Sequence, residues 1–425
     1  MIRNVMDQRK RLIENIGSLF ALQGASYILP LISMPYLMRV LGAEKFGLIV
    51  FAQAFTQYFV VLTDYGFNLT ATRQIATHNK DIRKVSEVFC SVMVIKLALM
   101  LGSLLIMASI VFLVPKFRLD WPVYFIAYLT VVGNVLFPVW LFQGMEWMKY
   151  ITLLNVSAKG IALLALFLLI HRPDDYLLAM GIQASGFVLA GLMGLWVARG
   201  RIGVRLVRPH LHHIRPMMRE GLQVFTATLS GNVYGQGSVL ITGLIAGDAA
   251  AGYYSLAQKT LTALSNLISP LAQGIYPRLT HMFNEGHAHY NCFRKKVFGI
   301  VMCIGILMSS ALCLLSSPVS VLLSGHSSVL LNTLLKILGL AAAIDMLNVL
   351  MNTFILSMKR YAEMQKMYLF VAGLFLVVSI PVTYRYGPIG MAVSMLGIVE
   401  IAVLVWSIRI SRLFAWRELG RHEEH

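Results

Sequence analysis

Apolar residues occur along the chain in blocks of about twenty, separated by short polar connectors. Blocks of that length cross a hydrocarbon core of roughly 30 Å as helices. They lack the strict alternation of a barrel strand, so backbone hydrogen bonding in lipid leaves the helix as the remaining choice. Twelve spans are predicted, over 15–38, 46–66, 86–114, 121–142, 149–170, 176–198, 219–246, 252–275, 297–316, 329–357, 364–384 and 388–410. The polar stretch at residues 1–14 leads into an apolar run without a short signal-type core or a small-residue cleavage pattern. It therefore reads as the approach to an uncleaved first span.

Placing the N-terminus inside puts 26 of the lysines and arginines on inside segments and only 6 on outside ones. That bias fixes the expected orientation, with both termini in the cytoplasm of a bacterial inner membrane. Composition agrees: 58% of the 425 residues are hydrophobic, 13% are charged, and the mean hydropathy is +0.72. The formal charge of +17 does not indicate nucleic-acid binding, because the basic residues lie in alternating connectors instead of on one accessible face. Cys90, Cys292, Cys303 and Cys313 show no disulfide or metal spacing and read as small apolar residues. No phosphate-loop motif is present, and no cofactor or metal is expected.

Gly42, Gly47, Ala52 and Gln53 recur as Gly247, Gly252, Ala257 and Gln258, at a constant offset of 205, which also places Arg73 over Arg278. The two copies bridge spans one and two and spans seven and eight. The expected fold is therefore an all-α integral membrane protein of about 12 helices in two pseudo-symmetric six-helix halves around a central cavity. The expected domains are residues 1–198, a basic cytoplasmic linker at 199–219, and 220–425. His210, His212 and His213 in that linker read as solvated side chains, since no carboxylate or thiolate accompanies them.

Ionisable groups at membrane depth are costly and generally face a cavity or a partner. Lys159 and Lys259 share their spans with no acidic residue, and with Lys96 they are the candidates for a cationic lumen. Interhelical hydrogen bonding absorbs most of the Ser, Thr and Asn positions but not these two lysines. Asp345 and Glu400 are candidates for ion coupling. Arg39 and Asp64, at span ends, are candidates for gating or for an interfacial role. Pro30 and Pro35 each remove a helix hydrogen bond, so span one is expected to bend or unwind there. Gly231, Gly235 and Gly237 mark the corresponding weak point in span seven. Polar stripes on spans one, two, eight and ten suggest one wet cavity.

Four segments resemble a known family: PYLMRVLGAEKFGL (35–48), LTDYGFNLTATRQIA (62–76), WLFQGMEWMK (140–149) and AQGIYPRL (272–279). They are similar to the bacterial O-antigen repeat-unit flippases, in the polysaccharide-transporter branch of the multidrug/oligosaccharidyl-lipid/polysaccharide exporters. The resemblance implies a substrate, an undecaprenyl-diphosphate-linked oligosaccharide moved from the cytoplasmic to the periplasmic leaflet. It implies membrane lipids, an O-antigen polymerase and a chain-length regulator as partners. Three rivals fit less well. A polymerase is expected to present a substantial periplasmic loop, whereas the longest outside connector (316–328) carries no Lys, Arg, Asp or Glu. A drug or cation antiporter would favour acidic lumen residues, and an ATP-driven flippase would need a separate ATPase.

Overall fold

The structure, a computed structural model, describes residues 2–205, 207, 211–285, 287–358 and 361–410. Within these, the side chains of 2–23, 25, 27, 211–216, 277, 283–285, 287–289, 291 and 361 are not described. The described residues are helical almost throughout and contain no strand. The helices are α1 (Ile2–Asp64), α2 (Phe67–Thr77), α3 (Ile82–Leu113), α4 (Pro115–Leu119), α5 (Trp121–Leu136), α6 (Val139–Gly144), α7 (Met148–Leu169) and α8 (Tyr176–Val197). They continue as α9 (Leu211–Ala246), α10 (Asp248–Ser265), α11 (Ser269–Glu285), α12 (His287–Leu314), α13 (Ser316–Ser324), α14 (Val329–Ser357) and α15 (Tyr361–Ser394). A π-helical turn, Met395–Glu400, follows α15, and helix resumes to residue 410.

Eight helical stretches among the described residues are long and apolar enough to cross a membrane. Two of them, Ile28–Thr77 and Ala362–Ile410, are 50 and 49 residues long, more than twice the roughly 20 residues a bilayer requires. Each contains a glycine at which the helix breaks. Gly42 has φ 78° and ψ 167°, and Gly387 has φ 61° and ψ −145°, regions open essentially to glycine alone. Gly247, the repeat mate of Gly42, has φ 90° and ψ 171°. The duplicated sequence thus reproduces the same backbone break. The segments expected as spans seven and eight are also helical but less apolar, and these carry Gln258 and Lys259.

At the expected weak points the chain does not unwind. The backbone of α1 stays helical through Pro30 and Pro35, its only non-helical residue being Gly42. Likewise α9 is one helix through Gly231, Gly235 and Gly237. In both copies the chain breaks at the glycine ending the span, where left-handed φ removes any dependence on a side chain.

Outward-facing rows of leucine identify the lipid side of these helices. Leu97, Leu101 and Leu105 on α3 are exposed at four-residue spacing, which places them on one face. The inward faces are small. A Cβ on Gly133 of α5 would lie 2.3 Å from the Phe187 carbonyl carbon of α8, and one on Gly191 of α8 would lie 2.8 Å from the Gly133 oxygen. Such close backbone approach is how membrane helices associate when apolar burial offers no net gain.

The chain divides into two compact units, residues 1–33 with 40–229 and residues 34–39 with 230–425. In the first, α1 ends at Asp64, and Tyr65 (φ 43°) and Gly66 (φ 83°) turn the chain into α2. A Cβ on Gly66 would lie 2.6 Å from Val224 Cβ, and Tyr65 stacks on Phe225 at 5.3 Å. The linker following α8 is pinned to α3: Arg205 N donates to Ser86 Oγ (3.1 Å) and Val207 N to Cys90 Sγ (3.3 Å). The linker histidines lie outside the described residues or side chains. In the second unit, the connector 316–328 forms α13, which ends at left-handed Gly325 (φ 81°).

Candidate functional site

Each predicted site residue belongs to one of the two units. In the first, Lys96 of α3 is 1% exposed, and its ammonium lies 2.8 Å from Asp64 Oδ1. The other carboxylate oxygen accepts from Asn68 Nδ2 at 3.2 Å. Lys96 therefore holds a partnered charge that ties α3 to the end of α1, which removes the reason for counting it as an open lumen cation. Asp64, expected as a gating or interfacial residue, supplies the neutralising charge. Removing one partner of a buried pair costs about 3–5 kcal/mol, whereas replacing both by apolar residues is often neutral. Lys96→Met alone should lower the thermal unfolding temperature in detergent by several degrees. Asp64→Leu combined with Lys96→Met should recover most of the loss; equal loss in single and double variants would contradict the pairing.

Lys159 on α7 differs from Lys96. No carboxylate meets it among the described residues, and its ammonium sits 5.3 Å from the centroid of the Phe187 ring on α8. A cation over an aromatic face is worth about 0.5–2 kcal/mol, far less than a full counter-charge. One turn before Phe187, Gln183 accepts from Gln53 Nε2 at 3.0 Å, while its own Nε2 is buried without an acceptor among the described residues. The backbone beneath is fixed on two sides, by the Gly133 contact on α5 and by α7, where a Gly186 Cβ would lie 3.1 Å from Ala162 Cβ. The result is a rigid face bearing a cation and an amide donor, with no acid beside them among the described residues.

In the second unit the arrangement is acidic. Glu400, at the end of the π-helical turn, is 5% exposed and accepts from Asn348 Nδ2 at 2.9 Å, while its backbone carbonyl accepts from the same amide at 3.0 Å. Asp345 lies one turn before Asn348 on α14, so the Asn348 bond brings Glu400 to the same stretch of that helix. Asn348 Oδ1 and Asn352 Oδ1 are buried without a donor among the described residues. Tyr234 of α9 stacks on Tyr368 of α15 at 6.4 Å. A π-bulge commonly marks a functional position, and here it turns Glu400 onto Asn348. The cluster brings spans ten and twelve together and is rich in oxygen acceptors. Lys259 on α10 is exposed and meets no carboxylate among the described residues.

Arg39, just before the Gly42 break, donates from Nη2 to the Leu322 carbonyl. It thus caps the C-terminal end of α13, where a positive charge is favoured. Tyr253 Oη lies 3.2 Å from His326 Nε2 on the same connector. Among the described residues no group of three His, Cys, Asp or Glu side chains is placed to hold a metal. Sequence reasoning missed Gln183 and Phe187. The available signal was a lone glutamine in an apolar span, four residues before an aromatic.

A family model described as a polysaccharide biosynthesis protein matches residues 12–283. A protein of Escherichia coli (strain K12) described as a candidate O-antigen transporter is 31% identical over 385 residues, covering 90% of this chain and 92% of that protein. A Shigella dysenteriae protein of the same description is 26% identical, over 93% of this chain and 99% of that protein. Among solved structures, a multidrug resistance MATE family transporter of the MOP superfamily in an inward-facing conformation aligns with TM-score 0.74 at 14% identity. It covers 96% of this chain and 99% of its own. The lipid II flippase MurJ, inward closed, aligns with TM-score 0.67 at 12% identity, covering 94% and 87%. Identities this low carry the fold alone.

Proposed function

We propose, for a chain that belongs to the polysaccharide biosynthesis protein family, that it is a flippase of polysaccharide precursors. Its cargo on this reading is an undecaprenyl-diphosphate-linked oligosaccharide, an O-antigen unit, moved from the cytoplasmic to the periplasmic leaflet of the inner membrane. The observation carrying the proposal is Lys159, a cation at membrane depth that meets a ring face and no acid among the described residues. A structural lysine in lipid acquires an acid, as Lys96 does; one left open is explained by a ligand that brings the negative charge. A diphosphate does so while its lipid tail stays in the bilayer. The relatives described as O-antigen transporters support the cargo class.

Alternating access would rock residues 1–198 against 220–425 about the linker at 199–219, with both termini cytoplasmic. The chain acts on this reading as a transporter and not as an enzyme, delivering its product to an O-antigen polymerase and chain-length regulator. Asp345 and Glu400 would couple the cycle to a proton or sodium ion, since Asn348 holds Glu400 one helical turn from Asp345 and two neighbouring carboxylates share their site most readily with a cation. Glu400→Gln keeps the bond to Asn348 and removes a charge. Its transport rate should become insensitive to collapse of the ion gradient; an unchanged response to ionophore would remove Glu400 from the coupling role.

Deletion and complementation in the host bacterium test the function itself. Loss of long surface polysaccharide, with complete lipid-linked units retained on the cytoplasmic side, is the expected result. Single units reaching the surface unchained would instead identify a polymerase.

A further inference from the structure

The internal duplication lets each half serve as a reference for the other. In the second half, Gln258 Nε2 donates to the Gly235 carbonyl (3.0 Å) and to Ser238 Oγ (3.1 Å). Ser238 Oγ itself donates to the Gly235 carbonyl at 2.8 Å. One amide therefore fastens α10 to α9. Subtracting the 205-residue offset gives Gln53, Pro30 and Ser33. The same acceptor pair exists there, because Ser33 Oγ donates to the Pro30 carbonyl at 3.4 Å.

Gln53 nevertheless does not close that arrangement. Its Nε2 donates to Gln183 Oε1 at 3.0 Å and lies 4.0 Å from Met180 Sδ, both on α8. A side chain whose repeat mate binds the neighbouring helix is here diverted onto a third helix. The diversion leaves a cost behind: Gln183 Nε2 is buried with no acceptor among the described residues, and a buried donor without an acceptor is destabilising. Orphaned donors of this kind call for a physical explanation. On the same face of α8, one turn on, is Phe187 with the Lys159 ammonium above it. The face thus offers a cation and an amide donor, with no anion among the described residues.

We propose that Gln183 is a cargo-contacting residue: when Gln53 transfers to the Pro30 carbonyl and Ser33 hydroxyl, the freed Gln183 amide joins Lys159 in holding an anionic oxygen of the cargo. The proposal rests on the flippase reading and adds to it a second donor and the residue that guards it. The oxygen belongs either to the lipid diphosphate or to the carboxylate of an acidic sugar, and the guanidinium-free, amide-plus-ammonium pair suits both.

The full chain in lipid nanodiscs, titrated separately with undecaprenyl diphosphate and with methyl glucuronide, distinguishes these sources. Gln183→Leu should weaken binding of one probe about tenfold, and Gln183→Glu should weaken it further by placing a negative charge against the anion. Loss confined to undecaprenyl diphosphate assigns the site to the lipid headgroup, and loss confined to methyl glucuronide assigns it to the sugar. Gln53→Ala should bind at least as tightly as wild type, because it releases Gln183. A merely structural Gln53–Gln183 clasp would make Gln53→Ala bind more weakly. Wild-type affinity for both probes in both Gln183 variants would overturn the proposal while leaving the flippase reading intact. A wild-type chain that binds neither probe would overturn the flippase reading itself.

Discussion

Replacing Lys159 with alanine should lower translocation of lipid-linked oligosaccharide at least tenfold while leaving the amount and thermal stability of the protein unchanged or slightly higher. The two halves of this expectation have one cause. An ammonium at membrane depth without an acid contributes little to stability, its visible partner being the Phe187 ring at 5.3 Å, so its removal relieves a desolvated charge. The same removal deletes the charge that receives an anionic cargo, and tenfold corresponds to about 1.4 kcal/mol of lost interaction. Lys159→Arg, which keeps the charge, should retain most of the activity. Lys259→Ala should also lower translocation, since that side chain too meets no acid among the described residues, and should leave stability unchanged because the side chain is exposed. The contrast with Lys96, where loss should destabilise the protein, separates the two kinds of membrane lysine. Flipping assays paired with thermal unfolding on the same preparations read both. Full activity in both Lys159→Ala and Lys259→Ala would remove the cationic site from the account.

The largest structural effect should come from the smallest side chain. Gly133→Ala places a Cβ 2.3 Å from the Phe187 carbonyl carbon and 2.5 Å from Val188 N. Both are backbone atoms, so no rotamer change relieves the overlap and α5 must move away from α8. Overpacking costs about 1–3 kcal/mol in ordinary cores, occasionally more, and here the contact is one by which membrane helices associate. The variant should lose most of its detergent-stable, monodisperse fraction. Gly160→Ala on α7, where a Cβ meets nothing within 4 Å, is the control and should be indistinguishable from wild type. Since α8 carries Gln183 and Phe187, any Gly133→Ala protein that does fold should also transport poorly.

Hydropathy made the helices legible, because a lipid-embedded backbone has no alternative to internal hydrogen bonding. The offset of 205 pointed to Gly42 and Gly247, and both break the helix with nearly the same dihedrals. Apolar blocks do not reveal how a helix is rotated or what it meets across the bundle. Asp64 and Lys96 lie in adjacent spans, yet only the three-dimensional packing shows that one neutralises the other. Pro30 and Pro35 were expected to bend or unwind span one; unwinding does not occur, since a membrane helix can keep its dihedrals around a proline when neighbours satisfy the freed groups. The connector 316–328 was notable in the sequence only for lacking charge, yet it forms α13 and receives Arg39. The stripe containing Asp345 and Asn348 was visible at helical spacing, whereas the Asn348–Glu400 bond depends on a π-turn that no periodicity encodes.

The most direct test of the central claim is leaflet exchange of undecaprenyl-diphosphate-linked oligosaccharide by the purified chain in sealed proteoliposomes, read as the fraction of sugar reachable by an external glycosidase. Protein-containing vesicles should expose lipid-linked sugar from the inner leaflet at a rate well above protein-free vesicles, and Lys159→Ala should abolish most of the difference. Equal rates with and without the wild-type chain, under an imposed ion gradient of either sign, would contradict it.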